Sequence, residues 1–179
     1  MILLEKKLKN SRTGEEIPEF DTKVKITLTD TELSFEFDCK NSKLFSASDE
    51  YNGPIFDGDV CEAFICTGED ITEYYEIEVS HNNAQFVSFM KNLGPGKYDA
   101  KYVSKEDNFL KSSVEAFGND YKLKFSMPLD KIGYNKERGI MFNAFRIETE
   151  GGFTDRNLLA LSPTMCDTFH VPNAFIKLK

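Results

Sequence analysis

Five acidic side chains crowd one stretch of the sequence and could carry out acid–base chemistry, namely Asp57, Asp59, Glu62, Glu76 and Glu78. Glycoside hydrolysis uses two carboxyl groups at a set separation, which a sequence does not give. A chain with 30 acidic residues also produces such clusters on solvated strand faces. Solvated faces are therefore the simpler interpretation, and a glycoside-processing site built on Glu62 and a second carboxylate stays open as an alternative.

Glu62 and Arg146 stand out because residue alternation groups each of them with apolar side chains. Glu62 shares a strand face with Val60 and Phe64, and Arg146 shares one with Phe142. A charge on an apolar face needs a partner or a ligand, and a guanidinium can hold a carboxylate or sugar hydroxyls. The alternatives are an exposed strand end for Glu62 and a structural ion pair for Arg146.

Glu76 and Glu78 alternate with Tyr75, Ile77 and Val79 and therefore fall on the polar face of the same predicted strand. Polar strand faces usually point to solvent. We expect both carboxylates to be solvated unless a ligand recruits them.

The two histidines offer little catalytic or metal-binding signal. No Gly-x-Ser-x-Gly motif accompanies them, so a serine nucleophile has no motif support. Met90 or Met165 could ligate a haem iron together with His170, but the sequence spacing of these residues singles out neither pair. The four cysteines are too widely spaced for a zinc site.

Charge and hydropathy exclude two classes of partner. The net charge of −8 would repel a phosphate backbone, so nucleic acid is not expected. No apolar run approaches the roughly 20 residues of a membrane helix, and the N-terminus lacks a secretory signal pattern. We therefore expect a cytoplasmic protein, or an extracellular one if the sequence is a trimmed secreted chain.

The elements that must position these residues are short strands. Period-two alternation and turn residues predict strands at 24–29, 33–38, 60–65, 74–80, 85–90, 110–117, 121–127 and 140–149. Irregular segments are expected at 41–58, 91–97, 151–156 and 162–172, with one helical turn at 128–133. The pattern predicts a single domain over residues 1–179, an all-β antiparallel sandwich of jelly-roll or immunoglobulin-like type with at most one or two short helical turns. Its core should be rich in phenylalanine, given 16 Phe and no Trp.

Several segments together resemble a known family. The sequences F-N-A-F-R-I, L-S-P-T and F-H-V-P-N-A-F, at residues 142–147, 161–164 and 169–175, resemble the C-terminal half of family 9 carbohydrate-binding modules and DOMON-like sandwiches, with the pattern F-N-x-x-R, W-S-P-T, F-H-x-P-x-x-F-G. Residues 56–65 resemble the family's W-x-x-D-x-x-E-x-F segment, and 74–80 resemble the strand after it. The resemblance runs from about residue 20 to the end.

The resemblance implies a sugar site without covalent chemistry. Family members hold a sugar ring between two loop tryptophans, and charged and amide side chains bind its hydroxyls. When the family's site residues are transferred to this sequence, the first aromatic platform falls on Phe56. The six-residue spacing between the tryptophan and the glutamate of the family motif is kept between Phe56 and Glu62. The second platform falls on Phe169 or His170, and Glu62, Glu78 and Arg146 take polar roles.

The departures from the family concern the aromatic platforms. Leu161 replaces the tryptophan of the family's W-S-P-T element, and Ile176 replaces the glycine that follows the position of Phe175. Phenylalanine offers less area than tryptophan and no N–H donor, so a sandwich that has lost its sugar site is a further alternative. Some members bind calcium through acidic loops, which would fall here on Asp57 and Asp59 without EF-hand spacing.

The prediction is therefore non-catalytic binding of a mono- or disaccharide, or of a glycan end, in a loop-lined cleft. Ring stacking and charge-assisted hydrogen bonds would supply the affinity. The predicted ligand-binding residues are Phe56, Glu62, Glu78, Arg146, Phe169 and His170. No cofactor other than the calcium alternative is expected.

Overall fold

The computed structural model describes residues 1–153 and 156–178. The strands it contains, in chain order, are β1 (Ile2–Lys7), β2 (Lys9–Asn10), β3 (Thr22–Leu28), β4 (Glu32–Cys39), β5 (Val60–Cys66), β6 (Glu73–Ser80), β7 (Gln85–Gly94), β8 (Lys97–Tyr102), β9 (Lys111–Phe117), β10 (Asp120–Pro128), β11 (Ile140–Glu148), β12 (Asn157–Ala160) and β13 (Ile176–Leu178). Three short 3-10 turns occur at Pro18–Phe20, Ile55–Asp57 and Pro172–Ala174.

The strands form two antiparallel sheets that enclose a common core. The first sheet has the order β1-β3-β4-β10-β9, and the second has the order β2-β12-β11-β5-β6-β7-β8, with β13 added beside β11. Every pairing is antiparallel. The predicted all-β antiparallel sandwich is confirmed.

Most of the predicted strands are present. Seven of the eight begin and end within two residues of the prediction. The eighth continues to Gly94, so the segment 91–97 is a hairpin between β7 and β8 rather than an irregular loop. Gly94 and Gly96 adopt positive φ at its tip, which these glycines tolerate. The helical turn expected at 128–133 is a non-helical turn that ends at Gly133, φ 66°.

Phenylalanine fills the space between the sheets, as predicted. Phe35 of β4 stacks on Phe125 of β10 with ring centroids 5.3 Å apart, and its ring meets the edge of Phe142 from the opposite sheet at 5.8 Å. All three side chains are fully buried. Burial of such rings contributes about 1.5–3 kcal/mol each, the dominant favourable contribution to folding.

The central strands of the second sheet are buried on both faces. All seven residues of β5 are buried, and so are most residues of β6 and β11. One face packs on the sandwich core, and the other lies under a second apolar cluster that includes Phe64, Phe145 and Phe169. This outer face carries the cleft described below.

Within the described residues there is no helix long and apolar enough to cross a membrane.

Candidate functional site

A cleft of about 410 Å³ opens on the outer face of the second sheet. Its floor comes from β5, β6 and β7. Its walls come from the β8 strand, the 3-10 turn Ile55–Asp57, Arg156 and the segment 167–170. Strand alternation explains the floor, because every second residue of β5 and β6 points to this face. The site therefore combines a rigid sheet with adjustable loops.

Three glutamates form the centre of the floor. Glu62 on β5 lies directly opposite Glu78 on β6, and Glu76 is two residues away on the same face of β6. Carboxylate oxygens from the three side chains lie within 4.8 Å of one another. Glu62, Glu76 and Glu78 are 2%, 7% and 1% exposed, respectively. We call this group the carboxylate floor.

Burial and mutual repulsion keep protons on the carboxylate floor. Loss of hydration raises the pKa of Glu62 and of Glu78 well above the usual value, and the neighbouring carboxylates raise both further. Burial raises the pKa of Glu76 to about 7, although a hydrogen bond from Ser88 opposes the shift. One Glu78 oxygen, Oε2, is buried without a hydrogen-bond partner among the described residues. The carboxylate floor therefore holds an acceptor that this part of the protein does not satisfy.

His170 closes one side of the floor through a short chain of contacts. Its Nδ1 lies 2.8 Å from the Tyr74 hydroxyl, and its Nε2 lies 3.5 Å from Glu76 Oε1. Burial lowers the pKa of His170 to about 4, so the imidazole is neutral at pH 7 and this contact is not an ion pair. In the tautomer in which Nδ1 accepts from the Tyr74 hydroxyl, the ring proton sits on Nε2 and faces the carboxylate floor.

Arg156 is the cationic side chain of the cleft lining. Its Nη2 donates to the backbone carbonyl of Phe56, and its Nε is buried without a partner in the described ranges 1–153 and 156–178. The guanidinium lowers the pKa of Glu62 and Glu78 slightly, against the larger effect of burial. Arg156 thus ties the 3-10 turn to the rim and leaves one donor unused.

Aromatic rings make the walls. Phe56 is 37% exposed and meets the edge of Phe86, with ring centroids 5.9 Å apart. Tyr98 lies 4.1 Å from the His170 ring, and Tyr102 meets Phe86 at 5.6 Å. Tyr98 and Tyr102 are both partly open to solvent. Flat apolar faces above buried acceptors are the usual composition of a small-molecule site with a polar base.

Five of the six predicted site residues line this one cleft: Phe56, Glu62, Glu78, Phe169 and His170. Two of them differ from expectation in detail. Glu78 is buried rather than solvated, as is Glu76, for which solvation was also expected, because the outer face of β6 is covered. Phe169 is only 6% exposed and stacks on Phe145 at 4.1 Å, so the open ring on that side belongs to Tyr98.

The prediction for Arg146 is wrong. Its side chain points between the sheets, is 0% exposed and does not line the cleft. It donates to the Thr22 hydroxyl at 2.8 Å, to the Lys40 carbonyl at 3.2 Å and to Glu148 at 2.7 Å. The structural ion pair considered as the alternative is therefore the one present, and its partner is Glu148.

Asp59 has a structural role that leaves it nothing to offer calcium. Its two carboxylate oxygens accept hydrogen bonds from the Ser42 hydroxyl, the Phe45 amide, and both the amide and the hydroxyl of Thr149. Among the described residues, the carboxylates close enough to share an ion are those of the floor, not Asp57 and Asp59. The hydrogen bonds of Asp59 argue against its use as a calcium ligand, and the calcium alternative itself stays a prediction.

The two methionines of the haem alternative lie in different parts of the structure. Met90 lines the cleft with His170, whereas Met165 is exposed elsewhere. Each nitrogen of His170 already faces a protein group, the Tyr74 hydroxyl or Glu76. Those contacts and the acidic floor fit iron ligation poorly.

The lining residues that sequence reasoning missed include Glu76, Tyr98, Tyr102 and Arg156. Tyr98 and Tyr102 were out of reach because the Gly-Pro-Gly turn of the β7–β8 hairpin reads as a loop. Glu76 carried a usable signal, since it alternates with Glu78 on β6 and must share its face.

A second depression of about 410 Å³ lies on the outer face of the first sheet. Exposed lysines and glutamates line it, and they pair with one another, as Lys25 and Lys124 do with Glu36. Paired, solvated charges of this kind are ordinary on an open sheet face, so the functional assignment rests on the first cleft.

Comparisons with known proteins identify the fold. No protein-family model matches the sequence. A protein from Bacteroides uniformis described as a candidate carbohydrate-binding protein superimposes with a TM-score of 0.76 at 14% identity, over 97% of this chain and 84% of its own. A family 9 carbohydrate-binding module from Caldicellulosiruptor kristjanssonii, in complex with glucose, gives 0.63 at 16% identity over 96% and 83%. The chain therefore has the fold of family 9 carbohydrate-binding modules.

Sequence comparison adds one relative. A protein of Arthroderma benhamiae called "Extracellular protein" is 26% identical over 171 residues, covering 88% of this chain and 77% of the relative. The match extends over most of both chains.

Proposed function

We propose that the cleft binds a carbohydrate, as a mono- or disaccharide or the end of a glycan, without chemical turnover. The observation that carries this proposal is the convergence of exposed aromatic walls and a buried polar floor in one open cleft. The fold it shares with family 9 modules, one of them in complex with glucose, supports the same conclusion.

Each part of the cleft has a role in this proposal. The C–H face of a sugar ring would rest on Phe56, with Tyr98 on the opposite side, burying apolar surface. Hydroxyls would donate to the carboxylate floor and accept from the unused Arg156 donor or from His170 Nε2. Hydrogen bonds contribute about 0.5–1.5 kcal/mol each between neutral groups and about 1.5–3 kcal/mol each to a charged group such as the Arg156 guanidinium, which is enough to orient a sugar between two rings.

The arrangement of carboxylates favours binding over hydrolysis. Glycosidases place an acid and a second carboxylate on either side of the scissile bond. Here Glu62 and Glu78 are cross-strand neighbours that point from the same floor in the same direction. Both also have a pKa raised by the same burial, rather than the divergent environments that separate an acid from a nucleophile.

Isothermal titration with neutral mono- and disaccharides, including glucose and cellobiose, tests the proposal. We expect saturable binding to at least one sugar, weakened in the Glu62→Gln variant and unchanged in Glu137→Gln, an exposed control. A parallel assay of reducing ends on oligosaccharides should show none released. Release of reducing ends that disappears in Glu62→Gln would instead establish the glycoside-processing alternative. Absence of binding to any sugar would favour the other alternative, an interaction domain that has lost its sugar site.

A further inference from the structure

The carboxylate floor carries more acid than a neutral sugar needs. Hydroxyl groups are satisfied by one or two acceptors, yet three buried carboxyl groups meet at the centre of the cleft with oxygens within 4.8 Å. In the described lining, Arg156 is the only lysine or arginine, and its bond to the Phe56 carbonyl directs one nitrogen away from the floor. The site is therefore built for positive charge.

A separate observation points to a missing donor. Glu78 lines the cleft, and its Oε2 is buried with no hydrogen-bond partner among the residues that the structure describes. An unpaired buried oxygen costs about 1–3 kcal/mol, and more when charged. A ligand that donates a proton to this atom would remove that cost, and a cationic donor would also relieve the repulsion among the three carboxyl groups.

The geometry of an ammonium group fits three carboxylates. An –NH₃⁺ group has three donors and no acceptor. The three carboxyl groups each bring one oxygen within 4.8 Å of the other two, so a single ammonium nitrogen can contact all three residues. The aromatic walls provide additional stabilisation, because ring faces attract cations.

We propose that the cleft selects an amino sugar, with its protonated amine on the carboxylate floor and the ring face against Phe56. This inference rests on the proposed function and narrows the ligand class. A divalent cation is a poorer fit. Ca²⁺ takes six to eight oxygen ligands, whereas the floor supplies three carboxylates beneath apolar walls.

Charged and titratable groups around the floor determine the pH response. Tyr74, His170 and Arg156 face the three glutamates, and Asp167 lies on the exposed rim. At pH 7 His170 is neutral, so a bound ammonium meets no competing cation from that side. Binding should release protons from the floor, because a cation stabilises the ionised carboxylates.

Isothermal titration at pH 7 with glucosamine, glucose, N-acetylglucosamine and ethanolamine tests this inference. We expect glucosamine to bind at least about tenfold more tightly than the other three, which corresponds to about 1.4 kcal/mol. Heats measured in buffers of different ionisation enthalpy should reveal proton release with glucosamine only. Glu78→Gln should remove the preference, and Glu137→Gln should keep it.

The alternative outcomes separate the two proposals. Glucose binding as tightly as glucosamine would overturn the amino-sugar inference and leave carbohydrate binding standing. Ethanolamine binding as tightly would overturn it as well, since the ring would then add nothing. A thermal shift with CaCl₂ that is lost in Glu78→Gln, without any response to glucosamine, would replace the inference with a metal site. Failure of every sugar would overturn both proposals.

Discussion

Glu62 and Glu78 face each other across the β5–β6 ladder, in direct register and almost completely buried. The same row continues to Phe145 on β11 and Phe86 on β7, so the two acids are flanked by aromatic rings on both sides. Buried carboxyl groups without paired cations are unfavourable for folding, because they must either keep a proton or carry an unpaired charge. Such a pair is typical of a site that recovers the cost when a ligand binds.

The aromatic wall should contribute directly to affinity. Phe56→Ala should weaken sugar binding about tenfold, because the substitution removes both buried area and a ring contact that contributes about 1 kcal/mol. Titration calorimetry gives the dissociation constant. Phe117→Ala, which removes an exposed ring from β9 outside the cleft, is the matched control and should bind normally. Equal affinity for both variants would exclude Phe56 as a platform.

Stability should depend on the charge of Glu76. Its pKa is 4.5 for an unperturbed side chain and about 7 in the folded protein, so the folded state holds the proton more tightly. Below pH 4.5 both states are protonated, and stability falls as pH rises toward 7. The difference corresponds to at most about 3 kcal/mol. Glu76→Gln should therefore stabilise the protein at pH 8 but not at pH 4.5.

Urea unfolding at the two pH values measures this difference, and comparison with the parent protein at each pH cancels the opposing effect of His170. The lowered pKa of His170, about 4, makes stability rise with pH between about 4 and 6.5, and the variant retains that side chain. Glu137→Gln should show no such pH-dependent gain. A Glu76→Gln variant that is less stable at pH 8 would show that the Glu76 carboxylate is stabilising instead.

Arg146 should be essential for stability and irrelevant to ligand specificity. Arg146→Ala leaves Glu148 buried without its partner, and we expect a loss of about 3–5 kcal/mol in urea unfolding. Lys25→Ala, which removes an exposed partner of Glu36, should cost less than about 1 kcal/mol. If Arg146→Lys folds but cannot bind sugar, the assignment of Arg146 to the core is incorrect.

Cysteine reactivity should follow burial. Cys39, Cys61 and Cys66 are buried, and Cys166 is partly exposed. Burial also raises the pKa of the Cys61 and Cys66 thiols, which reduces the reactive thiolate. Ellman's reagent should therefore modify one thiol rapidly in the native protein and four after denaturation. Rapid modification of two or more native thiols would contradict the packing described.

The strands and the Phe56-to-Glu62 step were accessible from sequence because both depend on local patterns. Alternation identifies a strand and the residues that share a face. It does not say which face meets the core when both are covered, as in β5 and β11. Because of that ambiguity, Arg146 was predicted to line the cleft and Glu78 to be solvated. The assignment of each residue to the same strand face as its alternating neighbours was correct.

The wall formed by β8 required long-range information. Among the described strands, β8 pairs with β7 alone, and its residues are largely exposed, so the segment has little hydrophobic pattern of its own. The turn between them contains Gly94 and Gly96, which sequence reasoning interprets as a loop. Tyr98 reaches the cleft because β8 extends the sheet beside β7, and strand alternation places Tyr98, Ala100 and Tyr102 on the outer face.

An ¹⁵N–¹H correlation spectrum recorded during titration with glucosamine tests the central claim most directly. The account predicts saturable shifts concentrated in the amides of β5, β6, the turn Ile55–Asp57 and the segment 167–170, with the outer face of the first sheet unaffected. Shifts centred on the first sheet, or a spectrum unchanged by every sugar tried, would contradict it.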